Sequence, residues 1–74
     1  MIRLMPRIVV DPAIRHGRPV IEGTRVPVHV IVGHLAGGTS MEQVCEEFAI
    51  TKDDVYAALA YAAEVVAGEE IRAV

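Results

Sequence analysis

A chain of 74 residues with 53% hydrophobic side chains and a mean hydropathy of +0.39 has length for one domain and one small core, which at this size is marginal unless a metal, disulfides or another subunit assists. The lone Cys45 excludes an internal disulfide, and His16, His29 and His34 form no zinc-ligand pattern, so no cofactor is expected and association with another chain is the expected remedy. The net charge of −3 conceals a split: residues 1–27 carry five arginines against Asp11 and Glu22, net +3, whereas residues 28–74 carry Lys52 and Arg72 against eight carboxylates, net −6. Such a front suits phosphate and such a back suits a basic protein, although internal pairing of the two halves is equally physical.

Met1 to Arg7 lacks the apolar segment and cleavage site of a secretory signal, so a cytoplasmic protein is expected. Val55 to Val66, the longest nearly apolar run, is broken by Glu64 and falls short of the roughly 20 residues of a bilayer span. Residues 7–10 read as a β-branched strand stopped by Asp11-Pro12. Pro19 to Val26 then reads as a small hairpin around Glu22-Gly23, where glycine supplies a positive φ.

Pro27 suits the first turn of a helix, and Val28, Ile31, Val32 and Leu35 fall on one face of it until Gly37-Gly38 ends it after Ala36. Ser40 with Gln43 predicts a capping box for a second helix over 41–48, its stripe formed by Met41, Val44, Cys45 and Phe48. Thr51 with Asp54 predicts another box, and Ile50 with Val55 a hydrophobic staple, at the start of a third helix that runs to Gly68, with 69–74 as a tail. Val55, Ala58, Leu59, Ala62 and Val66 form its main stripe, but the helix is apolar nearly all round, with Tyr56, Tyr61 and Val65 off that stripe; a helix of this kind is usually covered on more than one side. The fold class expected is α+β, mostly α: a single domain with short N-terminal strands or hairpin over 7–26 and a three-helix, helix-turn-helix-like unit over 27–68.

The second and third helices, joined by Ala49-Ile50-Thr51, have helix-turn-helix spacing. The third offers Lys52 but then Asp53, Asp54 and alanines, a poor set for reading bases. Phosphate contacts fit better on Arg15, Arg18 and Arg25, which otherwise are solvated hairpin residues. His29 and His34 diverge by about 140° around a helix and do not share a metal. Cys45 lies on an apolar stripe, where an inert buried thiol is usual. With no base-and-nucleophile pair, no enzyme is expected.

The stretch Asp11-Pro-Ala-Ile-Arg-His-Gly-Arg-Pro-Val-Ile-Glu-Gly-Thr-Arg-Val-Pro-Val, with Leu35-Ala-Gly-Gly-Thr-Ser and Ala57-Ala-Leu-Ala-Tyr-Ala, closely resembles the bacterial domain-of-unknown-function family numbered 433, over about residues 8–63. The resemblance implies a helix-turn-helix-like domain preceded by short strands. It also implies an antitoxin of the VapB kind, paired with a PIN-like ribonuclease toxin and binding its own operator DNA. The family's signature falls on Gly17, Pro19, Gly23, Thr24, Arg25 and Pro27, while Ala49 stands where many relatives have glycine. The residues expected to contact DNA are Arg15, Arg18, Thr24, Arg25 and Lys52; those expected to contact a protein, a second copy or the toxin, are Tyr56, Tyr61 and Val65. The alternatives are a stand-alone helix-turn-helix regulator and a structural dimerisation module.

Overall fold

The computed structural model describes residues 1–69. Three short strands, β1 (Ile2–Met5), β2 (Ile8–Val10) and β3 (Val20–Ile21), precede three helices, α1 (Val28–Ala36), α2 (Met41–Phe48) and α3 (Lys52–Ala67). The fold is α+β and mostly α, as the sequence predicts. Residues 70–74 of the expected tail lie outside the described residues. No helix among the described residues is long and apolar enough to cross a membrane.

The strands form an antiparallel sheet in the order β1-β2-β3. Strand β1 is absent from the sequence-based expectation, and its turn explains why. Pro6-Arg7 joins β1 to β2 with Arg7 at φ +70°, the place where a hairpin usually shows glycine or asparagine. Arg7 is held there from outside the turn. Its carbonyl accepts from Glu22 N–H at 2.8 Å, and its guanidinium reaches the Asp54 carboxylate at 2.9 Å and Asp53 at 3.8 Å. The expected strand at 7–10 is thus one residue shorter, because Arg7 belongs to the turn.

The core forms where β2 and β3 meet the helices. Ile8, Ile21, Ile31, Val44 and Val55 are almost wholly excluded from solvent, with Val28, Ile50 and Ala58 in the same cluster. Burying each large aliphatic side chain contributes roughly 1.5–3 kcal/mol, so β2, β3 and the three helices are tied together through one or two residues each, while β1 adds no buried side chain. Each predicted stripe turns inward through its central members, Val28 and Ile31 on α1, Val44 on α2, Val55 and Ala58 on α3, with Val32, Leu35, Met41, Cys45 and Phe48 partly buried against them. Leu59 and Val66 of the expected α3 stripe are instead exposed, because that side of α3 is left uncovered.

Local chemistry sets the helix ends. Ser40 accepts from Gln43 N–H at 3.1 Å while the Gln43 side chain accepts from Ser40 N–H at 3.0 Å, and Thr51 and Asp54 repeat the exchange at 3.1 and 3.0 Å. Ile50 and Val55, the expected staple, are both buried. Pro27 sits one residue ahead of its expected place, as the N-cap of α1. Between α2 and α3, Ala49 adopts φ 54°, ψ 45°, a left-handed conformation that costs a residue with a β-carbon roughly 1–2 kcal/mol.

Two outcomes follow from these ends. Because Ala49 is exposed, Ala49→Gly should remove that strain and lose little packing, raising stability by about 1 kcal/mol in urea denaturation. Asp54 is drawn upward by partial burial, but the Thr51 N–H, the Arg7 guanidinium and the Thr51 hydroxyl together hold its carboxyl below the ordinary value. A lowered folded-state pKa gives stability that is present above the unfolded value, about 3.9, and lost as pH falls through the folded one. Asp54→Asn should therefore cost about 1–2 kcal/mol near neutrality, with the gap to the parent closing in denaturation curves taken at progressively lower pH.

Candidate functional site

Between β2 and β3 the chain makes a compact loop. Asp11 Oδ1 accepts from Ala13 N–H at 2.9 Å and the Asp11 carbonyl from Ile14 N–H at 2.9 Å. Three consecutive residues, Arg15, His16 and Gly17, then take φ values of 50°, 57° and 78°. Glycine is at ease there, while Arg15 and His16 each cost roughly 1–2 kcal/mol. A β-carbon on Gly17 would meet only ordinary contact, 3.9 Å from the Pro12 Cα, so backbone conformation rather than space demands glycine. Gly17 N–H to Ile14 and Arg18 N–H to Arg15, at 3.0 and 3.1 Å, close the turn. The result is that Arg15 and Arg18 leave the loop close together.

A second reversal brings in Arg25. Ile21 N–H donates to the Val26 carbonyl at 3.0 Å, and Thr24 N–H donates to Ile21 at 3.0 Å across a turn in which Gly23 has φ 80°. Thr24 is fully engaged here: its hydroxyl donates to the Ile21 carbonyl at 2.8 Å and accepts from Val26 N–H at 3.0 Å. The expected hairpin over 19–26 exists, but its second arm is a single bridge, Val20 to Pro27, and β3 pairs mainly with β2. Val28 N–H donating to the Pro19 carbonyl at 3.0 Å anchors the start of α1 to this hairpin.

The two turns gather Arg15, Arg18 and Arg25, with His16 and His29, around a cleft of about 520 Å³ floored by Pro12 and Ala13. All five basic side chains are exposed. The first turn of α1, which starts here, contains no acidic residue, unlike those of α2 and α3, so its partial positive charge adds to the arginines. Among the described residues the ion pairs use Arg3 with Glu22, Arg7 with Asp53 and Asp54, and Lys52 with Glu42, and leave the cleft arginines out. Guanidinium groups converging on a helix amino end suit phosphate or carboxylate oxygens.

Three of the five residues expected to meet DNA therefore come together. Thr24 shapes the turn behind them. Lys52 sits at the start of α3 beside Glu42, outside the cleft lining. The histidines His16 and His29, weighed in the sequence only as metal ligands, are cleft residues; the left-handed Arg15-His16-Gly17 turn that positions His16 has no pattern in residue types.

A second hollow, of about 490 Å³, opens beside the first and shares Arg18 and His29 with it. Its walls are aliphatic: Val28, Val32 and Ala36 from α1, Ala62, Val65 and Val66 from α3, with Tyr61 at its side. Tyr61 and Val65, two of the three residues expected to contact a protein, thus line the same groove. Tyr56, five residues before Tyr61, points about 140° away around α3; it is exposed and takes no part in the groove. Val28, Val32 and Val66 read in the sequence as core-stripe residues, because the same spacing that marks the core stripe also supplies the groove wall. No group of three or more His, Cys, Asp or Glu among the described residues could hold a metal ion.

A family model described as protein of unknown function (DUF433) matches residues 8–62, which include the whole arginine cleft. The chain belongs to this family. The crystal structure of Rv2018 from Mycobacterium tuberculosis is similar to it, with 33% identity and a TM-score of 0.65 over 70% of this chain and 24% of that one. The chain thus spans about a quarter of the Rv2018 chain. No curated protein matches it. Strand β1, at Ile2–Met5, precedes the matched DUF433 region.

The division of labour between Thr24 and Arg25 can be measured. Thr24→Val removes two hydrogen bonds from the turn and should lower stability by about 1–2 kcal/mol, whereas exposed Arg25→Ala should change it by less than about 0.5 kcal/mol, both read by thermal and urea unfolding.

Proposed function

We propose that this chain is a nucleic-acid-binding regulator of the antitoxin kind, a dimer that meets the phosphate backbone of its own operator through Arg15, Arg18 and Arg25. The observation that carries the reading is the convergence of three arginines, free of ion pairs among the described residues, on one cleft at the amino end of α1. Backbone contacts of this type supply affinity and register more than sequence choice.

In this reading α3 is not the element that enters the major groove. Its amino end carries Asp53 and Asp54, neutralised from within the protein by Arg7, and its first exposed positions offer no arginine, asparagine or glutamine for base edges. The helix-turn-helix spacing of α2 and α3 then serves packing. The role is binding, not catalysis. A toxin of the PIN-like class is the expected protein partner, on the strength of the family resemblance. The exposed carboxylates Glu46 and Glu47 of α2, which make no ion pair among the described residues, offer a basic protein a complementary surface.

The test is titration of labelled duplex from upstream of the chain's own gene, against scrambled duplex, across a salt series. The parent should prefer the upstream fragment, and Arg25→Ala should weaken binding to both duplexes and flatten the slope of log affinity against log salt by about one. Binding that is absent at low salt, or unchanged by Arg25→Ala, would remove the arginine cleft from the account.

A further inference from the structure

We infer that the groove between α1 and α3 is the contact with a second copy of this chain, arranged about a two-fold axis; this rests on the dimer of the proposed function and says which face forms it. A two-fold contact uses the same patch on both copies, so the patch must be complementary to itself. The groove meets that condition in shape. Val65 and Val66, 47% and 66% exposed, stand as a ridge on the α3 side, while Gly33, which has no side chain, and the small Ala36 and Ala62 leave the hollow beside it. A ridge and a hollow on one face let each copy fill the other.

It meets the condition in charge as well. One part of the groove holds Arg18 and His29 at the amino end of α1, whose first turn has no acidic residue. The carboxyl end of α3 carries Glu64 and Glu69, and its last turn has no basic residue, so both helix ends lack the charges that usually offset the helix dipole. None of Arg18, Glu64 and Glu69 makes an ion pair among the described residues. The acidic α3 end of one copy thus supplies a partner for Arg18 of the other. Arg18 borders both groove and cleft, and its five N–H donors let one edge meet a carboxylate and the other phosphate, while Arg15 and Arg25 line the cleft alone. The lining also discriminates between occupants: it is aliphatic with a single aromatic ring, which suits the valine- and alanine-rich face of another α3 and gives a nucleobase little to stack on.

The experiment is sedimentation equilibrium of the full chain from low- to high-micromolar concentration, with circular dichroism confirming helix content in every variant. The parent should be a dimer, Val65→Glu should weaken association by roughly tenfold or more, and Arg18→Glu should weaken it in a way that Glu64→Arg with Glu69→Arg restores. A parent that stays monomeric throughout, or a dimer indifferent to Val65→Glu, would overturn the inference. Arg25 lies outside the groove lining, so Arg25→Ala should leave the dimer intact while weakening DNA binding. A dimer that forms through this face without DNA affinity retires the operator reading alone, and DNA binding by a persistent monomer retires this one alone.

Discussion

Two residues, Val20 and Ile21, hold the molecule's functional surface to its scaffold. Both are almost completely buried, both pair with β2, and the chain on either side of them is tied down by the Pro19 carbonyl to α1 and by the Ile21 backbone to Val26. Arg18 lies two residues before this pair and Arg25 four residues after it, so a strand of minimal length converts sequence neighbours into the two walls of a cleft. The left-handed turn at Arg15–Gly17 adds the third arginine. Its cost in backbone strain is sustained because the Asp11 cap and the buried strand fix both ends of the loop.

The same economy governs the charges. Arg3 and Arg7 serve the fold, the first through Glu22 and the second at the start of α3, and the arginines of the cleft are left for partners, Arg15 and Arg25 for a ligand and Arg18 at the edge shared with the groove. Exposed ion pairs are worth little individually, about 0–1 kcal/mol, so the significance of Arg7 lies in position. It neutralises the acidic amino end of α3 and locks the β1–β2 turn to the helical layer. The basic front and acidic back seen in the composition are therefore partly joined within the molecule and partly directed outward. The outward parts are the arginine cleft, the α3 carboxyl end and the carboxylates of α2.

What is legible in the sequence follows from how local its causes are. The starts of α2 and α3 can be read directly, because a capping box needs only residues three apart, and Ile50 with Val55 confirms the second of them. The inward stripes of the helices are read for the same reason. Strand β1 is not legible: its turn depends on Arg7 holding a left-handed conformation through contacts with Glu22 and Asp54, far away in the chain. The arginine cluster is legible as charge, in the excess of arginine before residue 27, but not as geometry, and Thr24 shows the difference. A signature threonine beside a signature arginine reads as a contact residue, yet its hydroxyl is consumed by the turn that aims the arginine. Tyr56 and Tyr61 are likewise alike in type and separated only by the helix period.

Whether an anionic partner meets the arginine cleft or α3 is read residue by residue from amide chemical-shift mapping with a short duplex added to labelled protein. Binding at the cleft should concentrate the perturbations in residues 12–29, including Arg15, Arg18, Arg25 and His29, with the amides at the start of α3 little changed. Perturbations concentrated on residues 52–60 instead would make α3 the reading helix and contradict it.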